Sequence, residues 1–396
     1  MRRGLAILAL AALAAGLAGC GGNLALPTEN RNRVIPSDKS YQMQATWTSM
    51  AGIRDILLTQ GGGTQLFLLF NHGGSGTATR GEVLSYARLK PSGPQAPIPG
   101  IEFRTLFNPV ALCAGGDGSG SAANRIFILD QGDTTLARVN PNTHVYGDTT
   151  GLGLLTVQGK WRLNNVSDLG LYCRVREFGL VGGDTLSTFV DTTLAMVNGI
   201  AADALGRVYV SGAAIVYVRD ALNPNLRTRA FLWEIHRYLR GPGDYFMPGS
   251  AWHLDQTWLV GDGSGLGTLQ DPRGIFWGAS GGGALYAADF GKNWVQKLSD
   301  LTSSTGYFSI DQALGLSLLR PLDVVADPQG FVYLVDAGNQ RVLRFDGAGG
   351  YVQTVNVETD AFGRQLLSPT AVAADDSLVF VGDGGLSEVI RYKRRP

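Results

Sequence analysis

Three kinds of residue in this 396-residue chain could carry chemistry: histidines, recurring aspartates and glycine-rich loops. The histidines are His72, His144, His236 and His253. None has the H-x-x-x-H spacing that puts two imidazoles on one metal. A metal site would therefore need ligands from distant segments, and His72 with Asp55 and Asp130 is the candidate set. Asp130, Asp289, Asp336 and Asp383 each follow a short apolar run, and Asn293 and Asn339 stand near two of them. Carboxylates at a strand end accept backbone N–H bonds and shape the turn, so a structural role is expected for them. The runs Gly115–Gly120 and Gly261–Gly265 lack the strand-to-helix setting of a phosphate loop and the acidic spacing of a calcium loop. Gly74-Ser75-Gly76 and Gly118-Ser119-Gly120 lack the elbow that exposes a nucleophilic serine. Aromatic residues cluster at Trp233, Tyr238, Tyr245 and Trp252, where they form a candidate binding surface.

The elements that must position these residues are short strands in repeated threes. Pro321 to Phe345 is the clearest unit. Leu322–Ala326 is apolar, Asp327-Pro328-Gln329-Gly330 is a turn, and Phe331–Val335 is a five-residue apolar run. A second turn, Asp336–Asn339, leads to a third strand with Val342, Leu343 and Phe345. Such a meander cannot bury its own faces and needs copies beside it. Copies start near Gly52, Pro109, Gly199, Pro272 and Pro369. The third strand of the Pro109 copy is expected at Thr135–Val139. Six to seven such units predict an all-β propeller of four-stranded blades around a channel. Six blades are favoured. Leu171–Phe178 with Thr185–Asp191 forms either an extra hairpin or a degenerate seventh blade. Arg219–Arg229 reads as an insertion in blade three, a place where function tends to sit. The last unit supplies only three strands, and Tyr41–Trp47 alternates. That strand is therefore predicted to complete the last blade and close the ring.

The unit Pro321–Phe345 resembles the NHL repeat almost in full, and Pro272–Leu298 resembles it well, although the third strand there lacks the usual Arg. The resemblance implies the propeller fold for residues 40–396. It does not imply one activity, because this fold hosts binding modules, lyases and hydrolases alike. Propeller enzymes of this kind hold a metal with His or carboxylates drawn from several blades, and His72, which follows the middle strand Leu66–Phe70, is expected to face the channel mouth.

The first residues have a different character. Arg2 and Arg3 precede the apolar run Leu5–Leu13, which is too short to span a membrane. Leu17-Ala18-Gly19-Cys20 resembles the bacterial lipobox. That implies a signal peptide over residues 1–19, a diacylglycerol on Cys20 and a membrane anchor. Gly21 rather than Asp follows, which points to the outer membrane of a two-membrane envelope. Residues 20–39 are polar and aperiodic, as a flexible tether would be.

Lys plus Arg and Asp plus Glu both number 33, so the formal net charge is zero. That balance argues against nucleic acid, which needs a basic face. Cys113 is expected in an innermost strand and Cys173 in an outer one or in an extra hairpin. Blade strands three spacings apart differ by roughly 14 Å, beyond disulfide reach, so two unbridged buried thiols are expected. The function expected is a non-catalytic platform for an envelope protein, peptide or glycan, with no cofactor. The alternative is a metal-dependent lyase or hydrolase at the channel mouth, using a divalent metal.

Overall fold

The computed structural model describes residues 41–59, 65–72, 81–87, 106, 108–117, 124–131, 155–157, 160–162, 173–180, 185–191, 194–219, 227–241, 251–261, 263, 267–279, 283–298, 304–308, 317–355 and 365–395. They form a six-bladed β-propeller. Blade one is β2 (Ile53–Leu58), β3 (Gln65–Asn71) and β4 (Gly81–Ala87), with Leu106 bridging Gly81 beside β4. Blade two is β5 (Pro109–Gly115), β6 (Arg125–Gln131), β9 (Cys173–Gly179) and β10 (Thr185–Asp191). Blade three is β11 (Met196–Ala202), β12 (Val208–Arg219), β13 (Arg227–Arg240) and β14 (Trp252–Val260). Its sheet is widened by β7 (Leu155–Val157) and β8 (Lys160–Arg162), with β8 on β12. Blade four is β15 (Pro272–Gly278), β16 (Ala284–Asp289), β17 (Trp294–Leu298) and β18 (Ser304–Phe308). Blade five is β19 (Pro321–Ala326), β20 (Val332–Asp336), β21 (Arg341–Phe345) and β22 (Tyr351–Thr354). Blade six is β23 (Pro369–Ala374), β24 (Leu378–Asp383), β25 (Glu388–Arg394) and β1 (Tyr41–Trp47).

The closing strand is where alternation placed it. β1 runs antiparallel to β25 from Tyr41 opposite Arg394 to Trp47 opposite Val389. It removes the free edge that β25 would otherwise present to solvent.

The core is divided among the blade interfaces. Each of six apolar clusters draws on two neighbouring blades. The middle strands explain this. Leu334 packs toward blade four, while Tyr333 and Val335 pack toward blade six. Successive side chains of a strand point to opposite faces, so a strand buried on both faces reads as a continuous apolar run. A second repeat position fills the interface near the start of each inner strand. Met50, Leu106, Leu194, Leu269, Leu318 and Leu366 all stand three residues before the inner strand's first core position, and all are buried.

Two expectations are revised. Leu171–Phe178 and Thr185–Asp191 are neither an added hairpin nor a seventh blade: β9 and β10 are the third and outer strands of blade two. The edge of β6 expected to receive Thr135–Val139 is thus taken by β9, and Thr135–Val139 lies outside the described residues. The insertion in blade three is narrower than expected, because β13 begins at Arg227; residues 220–226 lie outside the described residues. β12 and β13 stay paired for six residue pairs beyond the last pair of β12 with β11, from Ala214–Leu232 to Arg219–Arg227. Six pairs make a hairpin extension of about 20 Å. It points past the starting end of the inner strands.

Cys113 on β5 and Cys173 on β9 are buried and unbridged in one apolar cluster; Cys173 is on the third strand of blade two rather than an outer one, two spacings or roughly 10 Å away, still beyond disulfide reach. Burial raises both thiol pKa values, with Asp55 adding to Cys113, and Asp191 and Asp130 to Cys173. Cys20 and the expected tether, residues 20–39, lie outside the described residues.

Candidate functional site

The six inner strands enclose a channel with a cavity of about 840 Å³. Each inner strand pairs on one edge only, so its other edge faces the channel or a neighbouring inner strand. All six carry a bulge near their start, at Ile53/Asp55, Pro109/Ala111, Val197/Gly199, Pro272/Ile275, Pro321/Asp323 and Pro369/Ala371. A bulge leaves a residue out of the ladder and re-aims its neighbours. In five blades a residue at the bulge lines the channel: Asp55, Ala111, Gly199, Gly274 and Asp323. Three are Gly or Ala, and at both glycines a neighbouring strand approaches closely. A Cβ on Gly274 would lie 2.7 Å from the Asp323 Cα, and one on Gly199 would collide with the Arg273 carbonyl oxygen.

The other two are carboxylates in identical settings. Asp55 Oδ1 accepts the Ile56 N–H at 2.7 Å, and its Oδ2 accepts the Leu112 N–H of blade two at 2.8 Å. Asp323 Oδ1 accepts the Val324 N–H at 2.8 Å, and its Oδ2 accepts the Val372 N–H of blade six at 2.8 Å. Each carboxylate thus joins its own inner strand to the next one. Both touch channel solvent but are enclosed by the channel wall. Burial raises the Asp323 pKa to about 7, against the lowering effect of the Val372 and Val324 amides. Burial raises Asp55 well above the usual carboxylate range, and the Asp323 charge raises it further.

The mouth at the starting end is polar. Asn71 donates to Asn108, and Asn198 donates to the Pro272 carbonyl at 2.7 Å. Arg273 pairs with Asp271 at 2.7 Å, and Arg54 is exposed beside Asp55. The opposite mouth carries Asp203, bonded to Arg207, and Asp327, which accepts the Phe331 N–H at 2.9 Å.

The expected metal set is not brought together. His72 Nε2 lies 2.9 Å from Glu82 Oε1 at the surface of blade one and stacks on Phe70. Asp130 is fully buried, accepting the Asn108 N–H at 2.7 Å and an ion pair from Arg174. No group of three or more His, Cys, Asp or Glu side chains is arranged around one ion position among the described residues. The repeat aspartates are structural, as the turn chemistry suggests. Asp289, Asp336 and Asp383 are fully buried and accept backbone N–H bonds from Gln270, Leu319 and Leu367, just before the inner strand.

The aromatic surface is corrected. Tyr238 and Trp252 are fully buried between blades two and three, so neither lines a surface. Trp233 is half-buried on the interface of blades three and four, with its ring 6.3 Å from that of the exposed Phe231. Tyr245 lies outside the described residues. Gly116, in the first glycine-rich run, has a packing reason: a Cβ there would collide with the Ala204 carbonyl oxygen.

Sequence reasoning passed over two features. Asp323 looked like part of a strand, and only alignment of the blades would have set it beside Asp55. His236 looked like a strand residue, yet it is fully buried between two carboxylates. Its Nδ1 is 3.0 Å from Asp191 and its Nε2 2.9 Å from Glu234, while Tyr238 donates to Asp191 at 2.5 Å. Alternation of Glu234, His236 and Tyr238 on one strand face was the available signal.

No protein-family model matches this chain, and no curated protein sequence matches it.

Proposed function

We propose that this protein is a lipid-anchored β-propeller of the bacterial cell envelope, held in the outer membrane through Cys20, and that it serves as a non-catalytic platform for a protein, peptide or glycan. The fold is consistent with such a platform. The observation that carries the reading is the separation of the candidate ligands. His72 bonds Glu82 on the outside of blade one, Asp55 holds two inner strands together, and Asp130 pairs with Arg174. A metal-dependent lyase or hydrolase would need them to converge at the channel mouth. What stands at that end instead is a rigid frame with a projecting β12–β13 hairpin, and rigid scaffolds with one enlarged hairpin suit recognition.

The anchor and the platform are tested separately. The Cys20 peptide of the purified protein is expected to carry acyl chains by mass spectrometry, and C20S is expected to move the protein from the membrane fraction to the soluble one. Metal analysis after dialysis without chelator is expected to find no stoichiometric metal. A stoichiometric transition metal or calcium would overturn the platform reading, with His72 the first ligand to map.

A further inference from the structure

Blade three carries a ribbon that the other blades lack. β12 and β13 run on together past the end of β11, and the two edges of this ribbon differ. The β12 edge is covered where β11 leaves it. β8 pairs there, Val216 with Arg162 and Tyr217 with Trp161, and β7 pairs with β8. Among the described residues the β13 edge has no such cover. β14 pairs with β13 only between Ile235 and Arg240, which leaves residues 227–234 with one partner strand. An unpaired edge presents a row of N–H and C=O groups that another strand can use.

The composition of the ribbon is one-sided. β7, β8 and the projecting residues 214–219 and 227–233 contain Lys160, Arg162, Arg219, Arg227 and Arg229 and no Asp or Glu. The whole chain is charge-balanced, so this is a local excess. Glu234, next along β13, is buried and bonded to His236. The outermost strands of the six blades, β1, β4, β10, β14, β18 and β22, contain no Lys or Arg. Period-two alternation puts positions Arg227, Arg229, Phe231 and Trp233 on one face of β13. Register adds Arg219, opposite Arg227, and Tyr217, opposite Arg229. Phe231 on that face is exposed, whereas Leu232 on the other is buried.

We propose that residues 227–234 of β13 are a docking edge for an extended acidic segment of another protein, which joins the sheet as an added strand. This rests on the platform reading above and names its partner.

Three observations select that occupant. Unpaired backbone favours a polypeptide over a glycan, because only a polypeptide continues the ladder. The basic excess calls for acidic side chains. Arg227 and Arg229 also disfavour a second copy, since pairing two such edges would bring like charges together, a device by which edge strands avoid self-association. Alternation then sets the partner's pattern: acidic residues at every second position beside Arg227 and Arg229, and an apolar one beside Phe231.

Fluorescence anisotropy with the purified full chain in detergent tests the edge. The probe is a labelled peptide alternating Asp with Thr and Val. It is expected to bind, and to bind more weakly at high salt, which screens surface charges. A backbone N-methylated peptide with the same side chains keeps the charge but cannot donate to the ladder, and is expected not to bind. R227E/R229E should weaken binding about tenfold, the effect of losing two surface ion pairs. Hydrogen exchange of the wild type covers the case in which that variant does not fold. The peptide is expected to slow exchange across residues 227–234 and not in β22. Equal binding of the N-methylated peptide, unchanged affinity in R227E/R229E, or equal protection of both edges would overturn the proposal. So would no binding up to about 1 mM peptide, or binding of phosphatidylglycerol vesicles in place of the peptide. Metal analysis keeps the two readings apart. A metal-free chain that ignores the peptide loses the docking edge and keeps the platform, and a chain that docks the peptide yet holds stoichiometric metal keeps the edge and loses the non-catalytic reading.

Discussion

At the scale of single residues, buried polar groups hold this fold together through specific partners. His236 is the clearest case. Burial alone would lower its pKa, but the bonds to Asp191 and Glu234 outweigh burial and raise it. The imidazolium then balances two buried carboxylates between blades two and three. H236A would leave both carboxylates without that cation, and removing one partner of a buried pair costs about 3 kcal/mol or more. Urea unfolding is expected to show that loss for H236A. A raised histidine stabilises fully below its unfolded pKa of about 6.5 and loses the contribution as pH rises through the folded value. The deficit of H236A should therefore shrink at alkaline pH, and a deficit independent of pH would refute the charged arrangement. The repeat aspartates were legible because one residue type recurred after one kind of apolar run. His236 was not, because nothing local says which outer-strand residue of blade two will face it.

At the scale of elements, alternation and turn residues are the controlling signals. Middle strands such as Phe67–Phe70 and Tyr333–Val335 read as unbroken apolar runs because neighbouring blades cover both faces. The closing strand β1 was legible for the complementary reason. Its burial pattern alternates at the start, with Tyr41 buried, Gln42 exposed and Met43 half-buried, as an outermost strand covered on one face requires. The Tyr41 hydroxyl also bonds that of Tyr333 at 2.9 Å, which ties the closing strand to blade five. A chain starting at Thr48 would expose the edge of β25 and remove Tyr41 and Trp47 from two interface clusters. Burying large aromatic side chains is worth about 2–3 kcal/mol each. The truncated protein is thus expected to melt well below the intact one and to self-associate in gel filtration, through the exposed edge. The third strand of blade two was misread because the chain between β6 and β9 is long, and apolar character at Thr135–Val139 stood in for proximity.

At the scale of the whole molecule, stability is shared around a ring. Each apolar cluster belongs to two blades, so no blade can keep its core when a neighbour is lost. Nearest-neighbour coupling in an open repeat array lets ends fray, whereas a closed ring has no ends. Unfolding in denaturant is therefore expected as one transition, coincident by far-ultraviolet circular dichroism and by tryptophan fluorescence. A separate early transition would show that the ring opens before its blades melt.

The sequence by itself determined the repeated unit, the number of strands most copies supply and the partner of the closing strand. Those properties follow from short-range patterns: period-two alternation, Pro at the first position of an inner strand, and Asp with Gly at turns. Tertiary structure alone decided which carboxylates line the channel. Asp55 and Asp323 lie far apart in the chain, and both line one channel because bulges at the same position of blades one and five aim them into it. It likewise decided that Tyr238 and Trp252 are core while Phe231 is surface, since a strand residue's exposure depends on the blade that covers it. Local pattern specifies strands, but the environment of a side chain in a propeller belongs to the interface between two blades.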